Sequence, residues 1–255
     1  MSSHRIRVSS GFRQRRSGAG RLAGSLRWLW PRRWRARLLV IAVILLLLPP
    51  LLILPCRWLP VVQTTFMVNS RVAALLDSRP HPSFARDWEP MENISPRLAE
   101  AVIAAEDQRF FIHSGFDMEA MMRAWRHNRN HQRVRGGSTI TQQLAKNLFL
   151  WSGRSYVRKG LEAYAAFWIE LLWPKQRILE VYLNVVEFGD QTYGAEAAAQ
   201  RYFRKPAARL NAREAALLAA VLPSPRRWLA AQPSRFVNAR AARIQSEMAP
   251  LDYRP

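Results

Sequence analysis

The feature that most constrains the fold is a near-continuous apolar run, Leu38–Cys56, which directly follows a segment with many arginines and no acidic residue. About twenty apolar residues are enough to cross a bilayer as a helix. The positive-inside rule then places the arginine-rich end in the cytoplasm. We therefore predict a cytoplasmic tail over residues 1–37, a single transmembrane anchor over residues 38–59, and the rest of the chain outside the cytoplasm.

A cleaved signal peptide is the main alternative to an anchor. Its basic region would be unusually long, and Arg57–Pro60 follows the apolar run where a small-x-small cleavage site would be expected. A buried helix of a soluble protein is disfavoured by the arginine flank. Pro49, Pro50 and Pro55 predict a kink near the outer end of the span.

Beyond the anchor, helical periodicity dominates and strand-like alternation is scarce, so we predict a mainly α fold with very little sheet. Residues 60–93 contain several prolines and are predicted to form a membrane-proximal connector. Ser95-Pro96 predicts a helix start, because a capping residue is followed by proline at the first helical position. A main domain over residues 94–235 and a C-terminal tail over residues 236–255 complete the predicted order.

Charge and cysteine content narrow the classes of function. The net charge of +21 indicates an anionic partner, such as nucleic acid, an anionic membrane or a phosphorylated substrate. Cys56 is the only cysteine, which excludes an intramolecular disulfide and a zinc site built from cysteines. Because arginines concentrate before a membrane span, the charge suits membrane topology better than nucleic-acid recognition. No nucleic-acid partner is predicted.

A dense motif, Glu106–Gly115, contains the first candidate functional carboxylate. Glu106 follows Val102 by four residues and precedes Phe110 by four, so it shares a helix face with apolar side chains. A carboxylate there must be paired, have a raised pKa or line a cleft. The alternative is a structural glutamate bonded to a neighbouring arginine or to His113.

A second motif, Arg135–Asn147, combines two glycines, hydroxyls, amides and a lysine in one short run. Such a run brings backbone N–H groups, hydroxyls and the cation of Lys146 within reach of one ligand. An anion such as a phosphate is the ligand that such a group of donors favours. The alternative for Lys146 is a solvated lysine on a helix surface.

Together with three later runs, these motifs resemble the peptidoglycan glycosyltransferases of family 51, which polymerise lipid II into glycan strands. The later runs are Arg158-Lys159-x-x-Glu162, Lys175–Asn184 and Tyr202–Ala219, and all five occur in the family's order. A looser resemblance extends from Trp88 to about Pro233. It implies a lysozyme-like, mainly helical glycosyltransferase domain preceded by a single transmembrane helix.

The resemblance implies transfer of a glycan from undecaprenyl pyrophosphate onto lipid II, with inversion to a β-1,4 bond. It makes Glu106 the base that deprotonates the acceptor's 4-hydroxyl and Glu162 a second functional carboxylate. An ion pair with Arg158 is the alternative for Glu162, whose apolar surroundings predict a helix buried all round. The residues predicted to bind substrate are Ser138, Gln142, Gln143, Lys146, Asn147, Arg154, Arg158 and Lys159.

The same resemblance sets expectations for cofactors, partners and location. No cofactor is required, although a divalent cation, Mg²⁺ or Mn²⁺, is compatible with the diphosphate; its ligands are unknown. The enzyme would be a single-pass protein of the cell inner membrane with a periplasmic catalytic domain. Cell-wall synthesis or division proteins are compatible partners. Moenomycin, which mimics the lipid-phosphate donor, should occupy the site.

Two other activities are weighed against polymerisation. No Ser-x-x-Lys nucleophile motif occurs in the chain, which argues against a transpeptidase and favours the monofunctional family members. A lytic transglycosylase or a lysozyme-like enzyme would cleave peptidoglycan with one acid and no phosphate clamp. The Ser138–Asn147 run and Arg154 therefore argue against cleavage.

The segment Asp117–Arg135 combines an apolar helical stripe with five arginines. That pattern is typical of an interfacial helix on anionic lipid, but the residues alone leave a core-facing stripe equally open. The family has a lipid-facing region at this position, which favours the membrane. The stripe consists of Met118, Met121, Met122 and Trp125.

Overall fold

The computed structural model describes residues 29–77, 81–130, 136–151, 153 and 155–249, and it is mainly helical, as predicted. The α-helices are α1 Leu29–Ile53, α2 Thr65–Leu76, α3 Pro96–Glu106, α4 Met118–Asn130, α5 Ile140–Phe149, α6 Tyr156–Leu172, α7 Lys175–Val185, α8 Ala195–Phe203, α9 Ala212–Val221 and α10 Arg235–Glu247. The strands are β1 Ala85–Arg86, β2 Glu187–Gly189 and β3 Thr192–Tyr193. Short 3₁₀ turns cover Pro55–Arg57, Met91–Asn93 and Ala207–Arg209.

Residues 38–53 of the predicted anchor lie in α1, and the 3₁₀ turn Pro55–Arg57 follows them. The segment Trp34–Arg57 is long and apolar enough to cross a membrane, and almost none of it is buried. The helix continues through Pro49 and Pro50 and ends at Ile53, and the predicted kink near the outer end stays a prediction. The chain divides after Leu47 into an N-terminal unit and a larger one.

Within the larger unit, polar side chains of the helical domain satisfy backbone carbonyls at the end of α1. Trp173 Nε1 donates to the carbonyl of Ile53 over 3.0 Å, and the Arg177 guanidinium donates to the carbonyl of Cys56 over 3.0–3.1 Å. The last carbonyls of a helix have no partner inside it. These bonds therefore fix where the chain enters the domain.

The small amount of sheet confirms the prediction. The strand order is β1-β3-β2, with β1 parallel and β2 antiparallel to β3. Pairing of Ala85 with Thr192 ties the segment before α3 to the β2–β3 hairpin. The left-handed Gln191, with a φ of 55°, lies in the turn of that hairpin.

Two groups of helices form the core beneath the cavity described below. α3 packs against α9 and α10, while α5 packs against α6 and α7. Their facing side chains are fully buried, as at Leu98, Leu144 and Ile178. The predicted start of α3 is confirmed at Pro96, although the Ser95 hydroxyl donates to the carbonyl of Leu210 over 2.8 Å and does not cap the helix.

The prediction that the helix of Glu162 is buried all round is wrong. In α6, Ala166 and Ile169 are fully buried, but Leu161, Phe167 and Leu171 are 43%, 51% and 61% exposed. The cause is that α6 packs on α5 and, more lightly, on α7. Its opposite face therefore remains open.

The predicted domain boundaries stay predictions, but two segments outside the predicted main domain contribute structure to it. α10 lies almost wholly in the segment assigned as a tail, and it packs against α9 and α3. α2 lies in the segment assigned as a connector and packs against α5, with a bond of 2.9 Å from Thr65 Oγ1 to the carbonyl of Leu148.

Candidate active site

A cavity of ≈ 700 Å³ lies between the end of α3, the start of α5 and the face of α10. Three predicted site residues, Glu106, Ser138 and Gln143, line it. Charged side chains of both signs complete the wall. They are Asp107, Arg109, Asp117, Arg123, Arg240, Arg243 and Glu247.

Glu106 is the last residue of α3 and its side chain is 14% exposed. One carboxylate oxygen accepts a hydrogen bond of 2.9 Å from Gln143 Nε2, and the other lies 3.4 Å from an Arg240 nitrogen. Burial raises the pKa of Glu106, and the Gln143 bond, Arg240 and Lys146 oppose that rise. A desolvated carboxylate that faces a cavity is suited to accept a proton.

The alternative pairing of Glu106 with His113 is wrong, because His113 bonds Asp107. His113 Nε2 lies 2.9 Å from Asp107 Oδ1, and the other Asp107 oxygen accepts from the backbone N–H of Ile140 over 3.0 Å. Asp107 therefore ties the first motif to the start of α5. Sequence reasoning assigned no role to Asp107, and its place beside Glu106 was the only available signal.

The second motif forms the N-terminus of α5. Thr139 and Gln142 close a capping box: the Thr139 hydroxyl accepts from the Gln142 N–H, and Gln142 Oε1 accepts from the Thr139 N–H. Gln142 is 2% exposed and is not among the cavity-lining residues, and neither is Asn147, which is 6% exposed. Their roles as substrate ligands stay predictions.

Lys146 is mostly buried, so the alternative of a solvated surface lysine is wrong. Its ammonium lies 5.8 Å from the centre of the Phe66 ring, within cation–π range. Burial lowers the pKa of Lys146, the charge of Glu162 opposes that effect, and the nearby cations of Arg158 and Lys159 add to it. Lys146 thus lies within the electrostatic reach of both Glu106 and Glu162.

Glu162 is buried and directly paired with two cations. Arg158 donates to one oxygen over 2.9 Å, and Lys159 forms a short ion pair with the other. The same Lys159 ammonium donates to Ser138 Oγ over 3.1 Å. The alternative ion pair with Arg158 is therefore present, but it belongs to a larger cluster in which the cations outnumber the carboxylate.

Arg154, the remaining predicted ligand, lies outside the residues that the structure describes.

The predicted divalent cation has no matching set of ligands in the described part of the chain. No group of three or more His, Cys, Asp and Glu side chains in those ranges is arranged to hold a metal. Both oxygens of Glu162 are engaged by cations. Participation of Mg²⁺ or Mn²⁺ stays a prediction.

Arg240 is a site residue that the sequence reasoning missed, because α10 was assigned to a tail. It lines the cavity and faces Glu106. A usable signal existed in the sequence. Val237, Ala241 and Ile244 recur at helical spacing and are buried, which is typical of a docked helix and not of a tail.

Similarity to known proteins agrees with this geometry. A family model described as Transglycosylase matches residues 74–249. The biosynthetic peptidoglycan transglycosylase of Pseudomonas syringae pv. syringae (strain B728a) is 52% identical over 201 residues, which cover 79% of this chain and 85% of that protein. The protein of the same name from Bdellovibrio bacteriovorus (strain HD100) is 47% identical over 225 residues, 88% of each chain.

The chain therefore belongs to the transglycosylase family. Within that family it is a peptidoglycan transglycosylase, an enzyme that polymerises glycan chains in cell wall synthesis. Both the suspected family and the predicted class of enzyme are confirmed.

Proposed function

We propose that the enzyme transfers a growing glycan from undecaprenyl pyrophosphate onto lipid II and inverts the anomeric carbon to form a β-1,4 bond. The observation that carries the proposal is the combination of a desolvated carboxylate, Glu106, with a cluster of excess positive charge around Glu162. A base and an anion-binding cluster are the two elements that glycosyl transfer from a pyrophosphate requires.

The acceptor's 4-hydroxyl loses its proton to Glu106 as its oxygen attacks the donor's anomeric carbon. The new carbon–oxygen bond forms while the bond to the pyrophosphate breaks, and the pyrophosphate leaves with the electron pair. The raised pKa of Glu106 makes it a stronger base than an ordinary carboxylate. General base catalysis is typically worth about 10²–10⁴-fold in rate.

The departing pyrophosphate is stabilised by cations that are already in place. Lys146, Arg158 and Lys159 supply positive charge, and Ser138 adds a hydroxyl that Lys159 holds. Gathering three cations without a counter-charge would be costly. Glu162 offsets their repulsion through its two ion pairs and leaves the cluster net positive. Glu162 acts in this scheme by positioning the cations.

The membrane contact proposed for α4 gains support from its exposed apolar stripe. Met118, Met122 and Trp125 are 60%, 51% and 59% exposed, so the core-facing alternative is wrong. Arg129 lies over the Trp125 ring at 4.8 Å, and Arg123 on the same helix lines the cavity. A helix on anionic lipid beside the cavity would allow a lipid-linked substrate to enter from the membrane plane.

We also propose the topology that the arginine-rich start predicts, with the N-terminus in the cytoplasm and the catalytic unit in the periplasm at the inner membrane. A reporter active only outside the cytoplasm, fused after Pro255, should be active. A silent reporter on a stable fusion protein would contradict this orientation.

Purified protein incubated with labelled lipid II tests the activity itself. The proposal expects a β-1,4-linked polymer, blocked by moenomycin, and no release of fragments from finished sacculi. Cleavage of sacculi without polymer formation would instead support a lytic enzyme and overturn the proposal. Penicillin labelling provides an independent check, since no labelling is expected.

A further inference from the structure

We propose that Tyr182 is a positioning residue for the catalytic base, because its hydroxyl anchors the Gln143 amide whose N–H group faces Glu106. The inference rests on the role of Glu106 proposed above. Tyr182 lies on α7 and is fully buried. Its hydroxyl donates to Gln143 Oε1 over 2.9 Å, and Gln143 Nε2 donates to Glu106 Oε2 over 2.9 Å.

The direction of these two bonds follows from the chemistry of the amide. The oxygen of a glutamine amide only accepts hydrogen bonds and its nitrogen only donates them. If the Gln143 amide turned over, its oxygen would face the Glu106 carboxylate, and two acceptors would meet without a proton between them. The Glu106 carboxylate therefore selects the nitrogen end of the amide, and the Tyr182 hydroxyl donates to the oxygen end and anchors it. The amide N–H group is thereby kept for Glu106, where it stabilises the charged form that acts as a base.

Tyr182 remains a donor over the whole working range of pH. Burial, followed by the negative charges of Glu106 and Asp107, raises the pKa of the Tyr182 hydroxyl well above its usual value. A phenylalanine would fill nearly the same space in the core, so packing alone does not account for the hydroxyl. Its contact with Gln143 connects the core of the domain to the cavity wall.

The other groups that act on Glu106 come from neighbouring elements and do not depend on the Tyr182 hydroxyl. They are Arg240 on α10, Lys146 on α5 and Asp107 beside Glu106 in the chain. Removing the hydroxyl should therefore weaken one named contribution to the ionised state of Glu106 and leave the electrostatic contributions in place. That expectation makes a pH profile the informative readout.

The test is the pH profile of lipid II polymerisation by Tyr182→Phe. Loss of one hydrogen bond should move the acid limb of the profile upward by about half a pH unit to one unit. The rate on that limb should then fall by roughly three- to tenfold. Most of the loss should be recovered on the alkaline plateau, where Glu106 is ionised in both proteins.

Tyr193→Phe is the matched control. Tyr193 is also fully buried, but its hydroxyl lies 3.3 Å from Glu187 Oε1 and belongs to a different network. This variant should leave the acid limb where it is. A Tyr182→Phe profile that overlays the wild type, or that is lowered by one factor at every pH, would overturn the proposal. An equal shift in Tyr193→Phe would overturn it as well.

A double mutant separates the relay from general damage. In a Gln143→Met background the link to Glu106 is already broken, so adding Tyr182→Phe should shift the limb no further. An additional shift would contradict a path through Gln143. Glu106→Gln, measured in parallel, separates the role of Glu106 from that of Tyr182. Near-normal turnover in Glu106→Gln would show that Glu106 is not the base. An inactive Glu106→Gln together with an unshifted Tyr182→Phe profile would overturn only the positioning role of Tyr182.

Discussion

The cavity wall around Glu106 and the cluster around Glu162 hold the same type of side chain in different surroundings. Glu106 accepts one bond from a neutral amide and has one arginine at 3.4 Å. Glu162 is paired on one oxygen with Arg158 at 2.9 Å and on the other with Lys159. Desolvation is the largest effect at Glu106 and raises its pKa.

The difference is what the proposed mechanism requires, because it gives the two glutamates different tasks. A base must gain a proton during the reaction, so its charged form should be only weakly stabilised. A counter-charge must keep cations together around an anionic ligand, so direct ion pairs suit it. The sequence places both residues on helices beside apolar neighbours, and only the fold shows which cations reach which carboxylate.

Glu106→Gln should produce the largest effect. The amide keeps the shape of the side chain but cannot accept the proton, so polymerisation should fall by about 10²–10⁴-fold. Moenomycin affinity should change little, because the cationic cluster is untouched. Initial rates on labelled lipid II, with folding checked by thermal melting, provide the measurement. Near-normal turnover would remove Glu106 from the mechanism.

Lys146→Ala should have an intermediate effect, on affinity as well as rate. A hydrogen bond to a charged group is worth about 1.5–3 kcal/mol, or roughly ten- to a hundredfold in moenomycin affinity. Lys146→Arg should recover only part of this, since a planar fork does not replace a compact charge.

Lys205→Ala is a suitable control for that experiment. Lys205 pairs with Glu214 at 2.7 Å and is not among the charges that act on Glu106 or on Lys146. Its loss should leave moenomycin affinity unchanged. Unchanged affinity and rate in Lys146→Ala itself would separate this lysine from the pyrophosphate site.

The smallest expected effect is on folding stability. It should have opposite signs in Glu106→Gln and Glu162→Gln. Because burial raises the pKa of Glu106, its contribution to stability is present below the ordinary pKa and lost as the pH rises through the raised one. At neutral pH, Glu106→Gln should therefore keep or raise the melting temperature. Glu162→Gln removes the negative charge that pairs with Arg158 and Lys159 and should cost about 1–2 kcal/mol, a value reduced by the partial exposure of Lys159.

Thermal melting of both variants at neutral pH compares the two signs directly. A fall in melting temperature for Glu106→Gln as large as that for Glu162→Gln would mean that the two carboxylates are held alike. The different surroundings of Glu106 and Glu162 would then not explain why the two carboxylates act differently in the reaction.

The sequence predicted the helical class, the scarce sheet and the start of α3, because these depend on local periodicity and capping. It also predicted, through their place in motifs, that Glu162 and Lys146 are functional, and that stays a prediction. It missed Arg240, since contact between α10 and α3 joins residues distant in the chain. Gln142 was predicted to bind substrate, and the structure shows that it closes a helix cap. The sequence alone does not distinguish a polar side chain that faces a cavity from one that caps a helix.

A direct titration of Glu106 tests the central claim most closely. Carbon-13 labelled glutamate would be introduced into the protein, and the carboxyl signal of Glu106 identified by its absence in Glu106→Gln. We predict a midpoint above about 4.3, the ordinary value for glutamate, with the charged, basic form lost as the pH falls through it. A midpoint at or below the ordinary value would contradict the account, because it would show that pairing and not desolvation governs this carboxylate.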